Sequence, residues 1–170
     1  MTVLRGAELS ECGRYRWALS RRWNDRKGMV LFVGLNPSTA DALDDDQTSR
    51  VCANYARRWG FGGLLIGNLF AWRSTDPAGL RQVDDPVGHD NDRWLKWLQS
   101  RASKVVCAWG DLGSLHGRDQ EVLGFLDKPQ CLVQLQSGRP GHPLYKSAGL
   151  VPRPFTGRLQ TIREPGSRGF

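Results

Sequence analysis

The chain has 170 residues, of which 39% are hydrophobic and 24% are charged, and this composition suits one folded domain rather than a disordered chain. Its 24 Lys and Arg residues outnumber the 17 Asp and Glu residues, and the net charge of +7 suits a polyanionic partner such as nucleic acid. No apolar run reaches the roughly 18 residues that a membrane helix needs, and residues 1–17 lack the apolar core of a signal peptide. We therefore expect a cytoplasmic protein without membrane contact, and the sequence indicates no obligate protein partner.

The first predicted elements are two strands joined by a turn. Residues 14–23 alternate partly between polar and apolar side chains and include Tyr and Trp, a pattern typical of an edge strand. After a turn at residues 24–28, residues 29–35 are apolar apart from one glycine. A continuous apolar run predicts a strand that is covered on both faces.

A helix is predicted next, and strands and helices then alternate. Asp46 or Thr48 can cap the start of this helix, and Gly60 can end it. The later elements are a strand at 62–72, a helix at 91–102, a strand at 103–110, a helix at 119–127 and a strand at 130–135. This order predicts an α/β fold with three layers, in which helices cover both faces of a central, mostly parallel four-stranded sheet with an N-terminal edge strand.

The predicted domain spans residues 1–150 and is followed by a basic arm, residues 151–170, that contains Gly and Pro. From residue 139 onwards the chain has six cations and a single acid, Glu164. Since arginine can bind a phosphate through two hydrogen bonds, we expect single- or double-stranded DNA as the partner. The predicted DNA-binding residues are Arg73, Arg139, Lys146, Arg153 and Arg158.

The cysteines and an acidic run are the candidates for metal binding. The four cysteines are Cys12, Cys52, Cys107 and Cys131. They are widely spaced and include no CxxC pair, so we interpret them as core or surface thiols and expect no disulfide. The run from Asp44 to Asp46 suits either magnesium or the cap of the following helix, and the cap is the favoured interpretation. We therefore expect no metal and no cofactor.

Polar side chains follow the predicted strands at the points where the strands end. They are Asn36, Asn68, the corner formed by Trp109, Gly110 and Asp111, and His142 in the loop after the last strand. Sites in such folds lie beyond the carboxyl ends of parallel strands, so we expect these residues to share one crevice. Each residue also has an ordinary interpretation, since Asn-Pro often initiates a turn and a buried amide can serve structure alone.

Two short motifs carry a resemblance to a known superfamily. Residues 34–38, Gly-Leu-Asn-Pro-Ser, and residues 141–145, Gly-His-Pro-Leu-Tyr, resemble two motifs of the uracil-DNA glycosylase superfamily. Residues 64–77 resemble the strand of that superfamily that ends in a base-reading Asn. Residues 12–150 are also similar to a bacterial and phage family of unknown function that carries Leu-Asn-Pro-Ser-Thr-Ala-Asp and His-Pro-Leu-Tyr.

The resemblance implies a DNA glycosylase-like hydrolase that cleaves the N-glycosidic bond of a flipped pyrimidine. It implies that Asn36 positions a water, that His142 donates to the base oxygen and that Asn68 reads the base. We add Asp41 as a catalytic acid, because it is the carboxylate closest to Asn36 in the sequence. The expected substrate-binding residues are Gly34, Leu35, Pro37, Ser38, Asn68, Trp109, Gly110 and Tyr145.

Two departures from the superfamily pattern leave the substrate open. Ser38 stands where the superfamily usually has Gly, and no Phe or Tyr lies between Asn36 and Tyr55. A modified or mismatched pyrimidine is therefore among the expected substrates. Two other functions also stay open: a non-catalytic nucleic-acid-binding domain that senses a base, and an enzyme that acts on a free nucleoside or nucleotide.

Overall fold

A computed structural model describes residues 2–157 of the chain. These residues form one mixed sheet of seven strands with helices packed against it. The strands are β1 (Leu4–Leu9), β2 (Arg16–Arg22), β3 (Met29–Gly34), β4 (Gly63–Asn68), β5 (Lys104–Cys107), β6 (Gln130–Cys131) and β7 (Arg153–Pro154). The α-helices are α1 (Gln47–Arg58), α2 (Asn91–Arg101) and α3 (Arg118–Leu123), and short 3₁₀ segments lie at Pro77–Gln82 and Asp111–Gly117. No helix in this part of the chain is both long and apolar enough to cross a membrane.

The strand β3 lies near the middle of the sheet because its apolar residues are buried on both faces. Val30 and Phe32 pack with the apolar side of α1, whereas Leu31 and Val33 pack with α2 and α3. This alternation follows from the two-residue period of a strand. Helices therefore cover both faces of the sheet, and the predicted α/β class is confirmed.

The sheet is larger and more mixed than the predicted one. Its order is β1-β2-β4-β3-β5-β6-β7. The neighbours β4, β3, β5 and β6 pair in parallel, whereas β1, β2 and β7 pair antiparallel with the strands beside them. The predicted edge strand, residues 14–23, is wrong in its position, because β1 pairs along its outer side and makes β2 an inner strand.

The strand β1 gave no strand signal because its sequence, Leu-Arg-Gly-Ala-Glu-Leu, interrupts the apolar alternation with Gly6 and two charges. Its outward position fits this composition, since the residues at both ends of the strand are exposed. Charged residues on an edge strand also discourage pairing with a further strand.

The folded domain continues past the predicted boundary at residue 150. Residues Arg153 and Pro154 form β7 against β6, and Phe155 packs in the core beside Trp109 with 6.1 Å between ring centroids. Burial of an aromatic side chain of this size stabilises the packing of this segment on the sheet. The rest of the predicted arm, residues 158–170, lies outside the described residues.

Candidate active-site cavity

The carboxyl ends of the central parallel strands meet at one cavity. Gly34 ends β3 directly beside Asn68 at the end of β4, and β5 leads into Trp109. The cavity has a volume of about 310 Å³, at the lower end of the range of small-molecule sites. Seven of the predicted site residues line it: Gly34, Leu35, Asn36, Ser38, Asn68, Trp109 and His142.

Four other predicted site residues lie outside the cavity wall. Asp41 does not line it, because its Oδ1 accepts the backbone N–H groups of Leu43 and Asp44 in a local turn. These two hydrogen bonds stabilise the carboxylate and lower the pKa of Asp41. Tyr145 is 90% exposed. Pro37 is buried and does not line the cavity, and Gly110 donates its N–H to the Pro140 carbonyl.

The amide of Asn36 is held in one orientation. Its Nδ2 donates to the backbone carbonyls of Pro37 at 3.1 Å and Ser74 at 2.9 Å. No residue among 2–157 donates to its Oδ1. The half-buried Asn36 therefore presents a fixed acceptor at the cavity, which suits the positioning of a water or of a ligand N–H group.

Asn68 is 4% exposed, and its backbone is fixed from behind by α2 and α3. The buried Asn91 donates from Nδ2 to the carbonyls of Asn68 and Leu69, and Arg118 Nε donates to the same Leu69 carbonyl. By contrast, the side-chain Nδ2 of Asn68 is buried without a hydrogen-bond partner among the described residues. Because an unpaired buried donor is costly, this atom marks a place where a ligand can supply an acceptor.

The glycine at the end of β3 makes room for Asn68. A Cβ added to Gly34 would lie 2.9 Å from Asn68 Oδ1, closer than normal packing permits. We expect Gly34→Ala to displace the Asn68 amide and weaken ligand binding or turnover by about 10-fold, with little change in thermal stability. Gly149→Ala is the matched control, since its Cβ would meet nothing closer than 3.9 Å. A Gly34→Ala protein with wild-type binding and turnover would contradict this arrangement.

His142 lies at the cavity in its neutral form. Its Nδ1 accepts the backbone N–H of Leu144 at 3.2 Å, so the proton of a neutral imidazole sits on Nε2. Burial lowers the pKa of His142 below 6.5, the positive charge of Lys146 lowers it further, and Asp46 opposes these effects. At neutral pH the imidazole can therefore donate one hydrogen bond from Nε2 to a ligand oxygen.

The titration of His142 gives a test of this environment. We expect an NMR midpoint below 6.5, and Lys146→Ala should raise the pKa because it removes a repelling cation. The lowered pKa means that the unfolded chain binds the proton more tightly. The stability due to neutral His142 is therefore complete above about pH 6.5 and is lost as the pH falls through the folded pKa. An unchanged midpoint in Lys146→Ala would contradict the assigned cause.

Among the cavity residues that the sequence analysis missed, three have chemistry that bears on the site. Arg16 in β2 is 4% exposed and lines the cavity, as do Phe32 in β3 and Asp46 at the start of α1. Phe32 stacks on Trp59 with 5.8 Å between ring centroids, and it gives the wall an aromatic residue that the loop after Asn36 lacks. Only Asp46 had a sequence signal, as the last acid before a helix. Arg16 looked like an ordinary charge on an edge strand.

Two members of the acidic run have structural contacts, and one of them, Asp46, also lines the cavity. Asp46 Oδ1 accepts the N–H of Ser49 and caps α1, as predicted, while Asp45 forms ion pairs with Arg5 and Arg21. Within residues 2–157 no cluster of three or more His, Cys, Asp or Glu side chains could hold a metal ion. Cys52 also lines the cavity, but burial raises the pKa of its thiol and keeps it protonated.

Two of the predicted DNA-binding residues lie near the cavity. Arg73 donates from Nη1 to the Gly13 carbonyl and lines a groove that shares Ser38 and Ser74 with the cavity. Lys146 is close enough to His142 to lower its pKa. The other three predicted DNA-binding residues are Arg139, Arg153 and Arg158. Arg139 Nε lies 3.7 Å from Asp119 Oδ2, and Arg153 is exposed in β7. Arg158 lies outside the described residues.

These features define an α/β protein whose parallel strands end at a cavity lined by both polar and apolar side chains. The model of a family of proteins of unknown function, DUF1643, matches residues 16–144, and the chain belongs to this family. Every residue that lines the cavity lies within the matched segment. No curated protein and no solved structure gives a significant match.

Proposed function

We propose that the protein is a DNA glycosylase-like hydrolase that cleaves the N-glycosidic bond of a flipped pyrimidine. The observation that carries the proposal is that Asn36, Asn68 and His142 line one cavity. They come from three separate segments of the chain, and the resemblance to the uracil-DNA glycosylase superfamily assigns them three complementary roles.

The proposed reaction uses water and needs no cofactor. Water attacks the sugar C1′, the C–N bond breaks, and its electron pair moves onto the leaving base. The acceptor Oδ1 of Asn36 orients the water, while the Nε2–H of His142 donates to the developing negative oxygen of the base. Asn is a poor base, so Asp46 takes the proton of the water in this scheme and replaces the earlier candidate Asp41.

The walls of the cavity suit a planar base. Phe32, Ile66 and Ala108 provide apolar surface, and the Asn68 amide offers a donor and an acceptor for the edge of a pyrimidine. The substrate base has to leave the DNA stack to reach this cavity. Arg73 and Lys146 lie close enough to the cavity to contact the phosphates of a strand whose base is turned inwards.

The fold adds support to the same proposal. We infer that the neighbours β4, β3, β5 and β6 correspond to the four-stranded parallel sheet expected of a uracil-DNA glycosylase-like domain. The strands β1, β2 and β7 are then additions at the two sides of this sheet. The cavity lies at the carboxyl ends of β3, β4 and β5, and in α/β domains ligands bind at the carboxyl ends of parallel strands.

A base-release assay tests the proposal. The full chain is incubated with single- and double-stranded oligonucleotides that carry uracil, mismatched thymine or modified pyrimidines, and with the matching free nucleosides, and released bases are measured by mass spectrometry. We expect release from at least one DNA substrate. His142→Ala should lose most of this activity, whereas His89→Ala should retain it, because the His89 side chain is 78% exposed and does not line the cavity.

The assay separates the proposed function from the two alternatives. Salt-dependent DNA binding without base release at stoichiometric protein would favour a base-sensing domain. Release from nucleosides but not from DNA would favour an enzyme of free nucleosides or nucleotides. A protein that releases no base from any substrate in the panel would contradict the hydrolase proposal.

A further inference from the structure

Three arginines within residues 2–157 are buried, and their surroundings differ. Among the described residues, Arg16, Arg21 and Arg118 are 4%, 3% and 2% exposed. Arg21 pairs with Asp45 at 2.8 Å, and Arg118 pairs with Asp92 at 2.6 Å. Within residues 2–157 no carboxylate lies within 4.0 Å of the Arg16 guanidinium. Arg16 is therefore the exception among them, and it is also the one that lines the cavity.

The hydrogen bonds of Arg16 leave part of its guanidinium unused. Its Nη1 donates to the Ala40 carbonyl at 2.6 Å and supports the loop that follows Asn36. Its Nε is buried and has no hydrogen-bond partner among residues 2–157. A planar guanidinium offers five N–H donors, and carboxylates and phosphates match its geometry.

The free-energy cost of burying the Arg16 charge without an ion pair indicates a partner that the described residues do not supply. A buried charge without an ion pair destabilises a protein unless another group compensates it. Burial lowers the pKa of Arg16 to about 10, so the side chain stays positive at neutral pH. Asp46 lies on the same cavity and offsets part of this charge, but it forms no direct ion pair with Arg16.

A second unpaired donor lies on the same cavity. Asn68 Nδ2 is buried without a partner among the described residues, and the imidazole of His142 keeps its Nε2–H for a ligand. Arg16, Asn68 and His142 thus present donors at one cavity, and a ligand rich in oxygen acceptors would satisfy all three.

We propose that Arg16 binds an anionic oxygen group, a carboxylate or a phosphate, of the ligand that occupies this cavity. The inference deepens the proposed function, because it specifies the chemistry of the ligand at the same site. It predicts that a neutral pyrimidine binds more weakly than a base with an acidic substituent. It predicts the same relative to a nucleotide that reaches Arg16 with its phosphate.

Matched pairs of ligands test this inference in the wild-type protein. Calorimetry compares uracil with uracil-6-carboxylate and thymidine with thymidine 5′-monophosphate, and inorganic phosphate is measured alone. We expect the anionic member of at least one pair to bind about 10-fold tighter than the neutral member, as suits a charge-assisted hydrogen bond. The two pairs distinguish a carboxylate on the base from a phosphate on the sugar.

Substitutions connect the preference to Arg16. In Arg16→Gln the preference should fall to within about 2-fold, whereas Arg16→Lys should keep part of it because the charge remains. Arg93→Gln is the matched control, since Arg93 is 78% exposed on α2 and lies away from the cavity. Should Arg16→Gln fail to fold, the comparison of ligand pairs in the wild-type protein still decides the question.

Equal binding of the neutral and anionic members in both pairs would overturn the inference, and so would a complete lack of binding by the anionic probes. A preference that survives in Arg16→Gln would also overturn it. These outcomes are distinct from those of the base-release assay. Base release without an anion preference contradicts this inference alone, whereas an anion preference without base release contradicts the hydrolase proposal alone.

Discussion

Replacing Asn36 with alanine should reduce base release by about 100-fold, while thermal stability stays nearly unchanged. The side chain holds its Oδ1 at the cavity through two hydrogen bonds from Nδ2 to the carbonyls of Pro37 and Ser74. Asn36→Ala removes this acceptor and leaves the attacking water without orientation. The Pro37 carbonyl keeps the backbone N–H of Ser74 as a donor at 3.0 Å, and Ser74 lines the cavity, where water can replace the lost donor at modest cost.

Single-turnover base release at saturating protein is the measurement for Asn36→Ala. Asn54→Ala is the matched control, because Asn54 lies exposed on α1 and outside the cavity. An equal loss of activity in both variants would indicate a general effect of substitution. Full activity in Asn36→Ala would contradict the role of Asn36 in catalysis.

Replacing Arg118 with alanine should cause the largest loss of stability, about 3 kcal/mol in the free energy of unfolding. The side chain joins three parts of the fold, since it donates to the Leu69 carbonyl, to Asp92 in α2 and to Glu121 in α3. The two carboxylates are about half exposed, so water can compensate them, but the interior loses packing and a partner for Leu69.

Urea unfolding at neutral pH checks this expectation. Arg93→Ala should change stability by less than about 0.5 kcal/mol, because the exposed Arg93 only approaches Asp90 at 3.9 Å. We also expect Arg118→Ala to weaken ligand binding, since Leu69 follows Asn68 directly. A loss of less than about 1 kcal/mol in Arg118→Ala would show that the network behind Asn68 is not a main support of the fold.

The sequence was most informative where hydrophobic pattern and strand order determine the structure. The apolar runs at 29–35, 62–72 and 103–110 contain the strands β3, β4 and β5, and the intervening helices were predicted close to their actual bounds. Because β3 and β4 run parallel, Asn36 and Asn68 were expected at one edge of the sheet. The structure places both on the same cavity.

The carboxylate at the cavity was not predictable from distance along the chain. Asp41 is nearer to Asn36 in sequence, but its side chain turns back to accept N–H groups of its own loop. Asp46 is ten residues from Asn36 and reaches the cavity because it caps α1, whose first turn borders the cavity. A helix cap can therefore bring a carboxylate to a site from a distant position.

Arg16 was hidden for a different reason. A charged residue in a strand with mixed polarity usually faces solvent, so the pattern placed Arg16 on an exposed edge. Arg16 is an inner-strand residue because β1 pairs along the outer side of β2, and its guanidinium is held by the Ala40 carbonyl of a distant loop. These contacts are long-range, and no local pattern in the sequence encodes them.

The most direct test of the shared site is an NMR titration of the three histidines and the Asn68 side-chain amide. Uracil, thymine, their deoxynucleosides and an oligonucleotide with one deoxyuridine serve as probes. At least one probe should shift the His142 imidazole and the Asn68 amide together and saturably, while His89 and His116, which do not line the cavity, stay unchanged. The shared site would be contradicted if no probe moved both signals, or if saturable binding shifted His89 or His116 and left His142 and Asn68 unchanged.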